Sequence, residues 1–231
     1  ALTTAQVRAL TTGQVAALTT DQVEALTTTQ VAALTTAQVA AITALQAVEL
    51  QAADLAVLSS GQLRALANDA LAALSTDAIA ALGTQQISTL TTTQLTALTA
   101  EQMLAIETRD LVVMSTAQIA SLSTAQLSAL DTLQLSNLST RQIASLTTDQ
   151  VASLDPTDLA ALETVQFRAL TTAQMAAITS DQIAALETAS LGALSSNQMR
   201  ALTPETIGAL STAAVVALTT DQAAALTTAQ F

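Results

Sequence analysis

Leucine recurs every eight residues along the whole 231-residue chain. The series starts at Leu2, runs through Leu10, Leu18, Leu26 and Leu34, and reaches Leu226 without a slip. Only Ile42, Ile106, Ile178 and Met114 replace leucine on this grid, and each is apolar and of similar size. An unbroken period means one small structural unit copied in tandem. The octad phase crosses every candidate boundary, so residues 1–231 read as one continuous, elongated array. The chain opens and closes inside the repeat and reads as a segment of a longer protein.

Numbered from its leucine, the octad has the consensus Leu-Thr-Thr-x-Gln-(Val/Ile/Leu)-x-Ala; residues 34–41 and 122–129 are clean copies. The second position is mostly Thr or Ser, with Asp131 and Asp155 as variants, and these are favoured helix N-cap residues. Three places later stands glutamine, in roughly three-quarters of the copies. Ser/Thr-x-x-Gln is a capping box, in which the hydroxyl accepts one orphan backbone N–H and the glutamine accepts another. The leucine before the cap and the apolar sixth position have the spacing of a hydrophobic staple.

Proline and charge test this assignment independently. Pro156 and Pro204 both follow a cap residue directly, at the first helical position, where proline is tolerated. Sixteen of the 18 acids occupy positions two, four or five, near the helix start, and Glu24 and Glu49 are the exceptions. Four of the six arginines (Arg8, Arg64, Arg168, Arg200) occupy position seven, near the helix end, whereas Arg109 and Arg141 do not. Both biases complement a helix dipole renewed in each octad.

One long helix is excluded, because eight residues overshoot two turns by about 80° and the leucines would spiral around the rod. The competing reading is a β-solenoid, since Thr and Val favour strands and short repeats often build β-helices. The octad does not alternate with period two, and it is rich in Ala and Gln. The expected fold is therefore all-α: a superhelical solenoid of very short helices, about six residues each, one per octad. A single octad is too short to hold a helix alone, so successive coils must stack to unite the leucines with the sixth-position residues. Positions three, four and seven should face solvent. Residues 43–73 depart furthest from consensus, with Gln51, Ala67, Asn68 and Ala70 at stricter positions, and read as drift on a tolerant scaffold.

Composition removes several function classes. The net charge is -12, with no lysine and no histidine. The basic stripe expected of a nucleic-acid binder is missing, and an anionic membrane surface would repel the chain. There is no cysteine, so disulfides and thiolate chemistry are excluded. No run approaches the ~20 apolar residues of a membrane span. No catalytic, cofactor-binding or metal-ligating residue stands out, and no cofactor is implied. Gln, Ser and Asp recur, but no histidine exists to serve as a base and no nucleophile stands apart from its copies. The acids are scattered singly, so dipole complementation explains them better than calcium ligation; Asp155 and Asp158 come nearest to a cluster. The third-position threonine is not explained by capping and leaves a hydroxyl surface, for ice or for glycans, open. Phe167, Phe231 and the four methionines fall on core positions.

The octads resemble the Leu-Thr-x-x-Gln-(Val/Ile)-x-Ala repeat arrays of large bacterial surface and secreted proteins. Some of those arrays read Leu-Thr-Pro-Glu-Gln, which Leu202-Thr203-Pro204-Glu205 matches until Thr206 departs. The resemblance covers the entire chain. It implies an adhesin-like extracellular or cell-surface location and a non-enzymatic role as spacer, stalk or filament-forming scaffold, with self-association as the partner interaction. The alternative is a binding module that grips a protein or glycan through the superhelical groove or positions four and seven.

Overall fold

The computed structural model describes residues 2–230. Among them lie 28 α-helices, from Thr4–Ala9 to Thr220–Ala225, and no strand. One helix forms per octad, each four to six residues long, so the β-solenoid alternative is set aside. The chain forms two compact units, Ala1–Leu122 and Ser123–Phe231. Each is a solenoid of short helices.

The local cause is the cap. Helix Ala100–Leu104 shows it well. Thr99 is extended (φ -72°, ψ 165°), and its hydroxyl accepts the Gln102 N–H at 3.1 Å. The Gln102 Oε1 accepts the Thr99 N–H in return, at 2.9 Å. Pro156 and Pro204 each open a helix, at the position where a missing N–H costs nothing. The helix ends because the next leucine is extended: Leu98 has φ -64° and ψ 145° and precedes the extended cap Thr99. Where the leucine caps the helix, as Leu98 does, two consecutive extended residues, leucine and cap, make the corner. The leucine N–H closes the corner by donating to the sixth-position carbonyl three residues back, as Leu98 does to Leu95 at 3.1 Å. Among the described residues no non-glycine residue and no glycine has positive φ.

Within each unit a helix packs against the helix three octads on. Thr4–Ala9 meets Thr28–Ala33 in the first unit, and Thr172–Ala177 meets Ser196–Ala201 in the second. The leucine grid and the sixth position form the core: Leu50, Leu55, Leu63 and Leu66 are buried in the first unit, and Leu159, Leu162 and Phe167 in the second. The methionines Met103, Met114, Met175 and Met199 are buried there too. Phe231 lies outside the described residues. Residues 43–73 keep the helical rhythm, although Ala67 supplies no side-chain cap to helix Asn68–Ala73. The fourth position faces solvent as expected: Leu45, Leu133 and Val165 stand there and are exposed.

Candidate functional site

The side chain that organises this protein is the fifth-position glutamine. Capping employs only its carbonyl oxygen. Its amide nitrogen carries two more donors, and both are spent on the coil beneath. Gln102 Nε2 donates to the Leu71 carbonyl at 3.2 Å and the Leu74 carbonyl at 2.7 Å, 31 and 28 residues earlier. Gln38 repeats the pattern on Val7 and Leu10, each at 2.8 Å. In the second unit Gln182 bonds Val151 and Leu154, and Gln198 bonds Phe167 and Leu170.

The acceptors are the corner groups that the helix leaves over. The sixth-position carbonyl already accepts the next leucine's N–H, and the glutamine takes its second lone pair. Leu63 shows both bonds, from the Leu66 N–H at 3.2 Å and from Gln94 Nε2 at 3.0 Å. The leucine carbonyl has no helix of its own and is met by the same amide. Every fully placed glutamine is accordingly buried, Gln102 and Gln174 being 2% exposed. Within each unit a ladder of neutral amides thus ties a coil to the one below and leaves no polar atom of the side chain wasted. The separations of 28 and 31 residues set the length of a coil at between three and four octads, a quantity the periodicity alone does not supply.

Bonds in the other direction reinforce the ladder. Arg8 Nε donates to the Ala33 carbonyl, and Arg200 Nε to the Ala225 carbonyl, in each case 25 residues ahead. Arg8 and Arg200 therefore reach the next coil as well as complementing a helix end.

Aspartate replaces glutamine at three fifth positions, and there the ladder changes character. Asp54 keeps the cap contact, accepting the Gln51 N–H at 3.1 Å, but it has no amide donor to offer the coil beneath. Burial pushes its carboxyl pKa up, and the Gln51 N–H opposes this. Asp158 is also raised, first by burial and then by the charges of Asp155 and Asp131. Asp110 is 1% exposed; its Oδ1 accepts the Thr84 hydroxyl at 2.7 Å, whereas its Oδ2 has no hydrogen-bond partner. The nearest cation is Arg109, with Nε at 3.8 Å from that oxygen and a closer pairing of its Nη2 to Glu107.

The other candidates resolve into structural parts. Asp155 is a solvated cap whose pKa is lowered by the Thr157 hydroxyl and N–H, while its near neighbour Asp158 is half-buried. No group of three metal-ligating side chains occurs among the described residues. Third-position hydroxyls are mostly exposed, and some reach the next coil, as Ser196 does to the Asp221 carbonyl at 3.4 Å. No helix among the described residues is long and apolar enough to cross a membrane. The second task of the glutamine escapes a capping argument, because glutamate would cap as well. One signal points to it: the fifth position carries Gln, Asp, Ala, Ser or Thr but never Glu. A longer carboxylate there would face carbonyl oxygens.

The model of a family described as the ALTTAQ repeat matches residues 1–28, 47–84, 103–140, 127–156, 151–188, 183–212 and 205–231, most of the chain. The hexapeptide of that description stands unaltered at residues 1–6, 33–38, 169–174 and 225–230. No curated protein matches the chain.

Proposed function

We propose, from the premise that this chain belongs to the ALTTAQ repeat family, that it is a non-enzymatic structural array whose task is to set a distance. The observation that carries this reading is the glutamine ladder. The glutamine that recurs at the fifth position is buried in most copies and engaged in holding coils together. Second-position hydroxyls are taken up by caps, and no group of three metal-ligating side chains occurs among the described residues. Such a design gives a part that can be lengthened octad by octad without altering any local environment.

The sequence resemblance to arrays of bacterial surface and secreted proteins supports a place outside the cell, as an adhesin-like stalk. Labelling intact and permeabilised source cells with an antibody to the array tests this placement. Equal labelling supports an external location, and labelling only after permeabilisation overturns it.

The spacer role is tested by fusing fluorophores to both ends of arrays that differ in octad number. Energy transfer at nanomolar concentration should report a separation that grows by a constant increment per added coil. A separation that does not grow with octad number overturns the reading.

A further inference from the structure

Where aspartate takes the fifth position the ladder loses an amide, and at Asp110 it also gains a buried charge that no side chain answers. The register of the complete rungs, 31 and 28 residues, sets Asp110 opposite the carbonyls of Ile79 and Leu82. Helix Thr108–Leu111 packs on helix Thr84–Thr89 of the coil beneath, in keeping with that register. The Ile79 carbonyl accepts the Leu82 N–H at 3.1 Å, and no side chain among the described residues donates to either carbonyl.

Asp110 differs from the other two fifth-position aspartates. Asp54 spends an oxygen on the cap N–H of Gln51, and Asp158 is half-buried. Helix Thr108–Leu111 has no capping box; the Asp110 carboxyl turns instead to the coil beneath, where Oδ1 accepts the Thr84 hydroxyl at 2.7 Å. Its Oδ2 has no hydrogen-bond partner, on a residue that is 1% exposed. Arg109 does not satisfy it. The arginine Nε stands 3.8 Å away, beyond hydrogen-bond reach, and Nη2 is held by Glu107 at 2.6 Å. A buried charge without a partner is costly enough that proteins pair it or set it on a metal ion.

We propose that Asp110 and the corner carbonyls of Ile79 and Leu82 form a site for a sodium ion, which takes the place of the missing amide between the two coils. The atoms that face one another are all hard oxygens, with no nitrogen or sulfur donor, and such oxygens suit hard cations rather than transition metals. Two of the three ligands are backbone groups, so no trio of acidic side chains marks the site. Aspartate is one methylene, ~1.5 Å, shorter than glutamine, so its oxygen stops short of the carbonyls an amide would touch and leaves room for an ion between them. Charge decides the valence. Glu107 and Arg109 neutralise each other, so a single buried carboxylate faces two neutral dipoles. One positive charge balances it, whereas a divalent ion would leave a buried excess. The Thr84 hydroxyl fixes the carboxylate through Oδ1 and leaves Oδ2 for the ion. Water that completes the ion's shell can enter beside Arg109, whose side chain is 71% exposed.

Thermal unfolding at neutral pH, with sodium chloride exchanged for choline chloride at constant ionic strength, tests the site. The parent midpoint should rise by about 2–4 °C as sodium goes from about 1 to about 300 mM. Asp110→Asn removes the charge and should lose this dependence. Asp110→Gln should lose it too, yet melt above the parent in choline chloride, because its amide reaches the Ile79 and Leu82 carbonyls. Asp54→Asn makes the same change in net charge and should keep the dependence. Sodium-23 NMR lines should broaden with the parent and with Asp54→Asn, and less with Asp110→Gln. A parent midpoint that is the same in both salts overturns the proposal. So does a sodium dependence undiminished in Asp110→Gln, or a calcium chloride effect that sodium does not reproduce.

Discussion

Gln102 shows how much one uncharged side chain does here. It accepts a cap N–H, donates to two corner carbonyls of the coil below, and is 2% exposed. Gln102→Glu retains the cap and loses both donors, and should cost on the order of 2–4 kcal/mol at neutral pH in denaturant unfolding. The new carboxyl is held above its unfolded pKa, because the proton restores a donor. Its penalty should therefore shrink on acidification, and a penalty independent of pH would contradict the assigned bonds. The converse change is available at Asp54. There burial raises the folded-state pKa above the ordinary value of 3.8, so protonation favours the fold. That contribution is complete below the unfolded pKa and is lost as pH rises through the folded one. Asp54→Gln should add about 1–2 kcal/mol at neutral pH by reaching the Val23 and Leu26 carbonyls. The gain should narrow as the pH falls toward the carboxylate range, which unfolding curves at a series of pH values will report.

At the scale of the element, the helix is specified by its first four residues. The cap, the capping box, the proline positions and the exposed fourth position were all legible in the octad, because each partner lies within one repeat. Ala67 is an exception that can be repaired. Ala67→Ser supplies a hydroxyl to the uncapped helix Asn68–Ala73 and should raise stability by about 1 kcal/mol in denaturant titration. Proline gives a sharper positional test on helix Thr92–Ala97. Thr92→Pro, at the first helical residue, should be neutral or slightly stabilising, whereas Thr96→Pro should cost about 3 kcal/mol or more. Equal effects at the two sites would mean that the helix starts elsewhere. What the octad did not reveal is where Gln102 places its amide nitrogen. Its second partners, Leu71 and Leu74, are 31 and 28 residues away, and that spacing depends on how corners accumulate into a coil. The coil length was hidden for the same reason. The absence of glutamate at the fifth position was the only local trace of it.

Across the molecule, phase matters more than length. Deleting residues 90–97 removes one octad from the first unit and brings Gln102 over the Leu63 and Leu66 carbonyls that Gln94 now holds. Such a chain should keep its helical spectrum and a cooperative thermal transition within about 5 °C of the parent. Deleting residues 90–93 alone moves Gln94, Gln102 and Gln118 off their carbonyl pairs and should lower and broaden that transition. Calorimetry of the two deletions against the parent distinguishes register from mere shortening. The corners explain why copies can diverge while the phase is kept. Corners such as Leu98–Thr99 are made by two residues in ordinary extended backbone, and no described position has positive φ. Unlike a chain whose bends are reserved for glycine, this one imposes no stereochemical toll on a freshly duplicated segment. Point substitutions can then accumulate in any copy without unmaking the bend, and an array of this kind can change its length in evolution faster than it changes its shape.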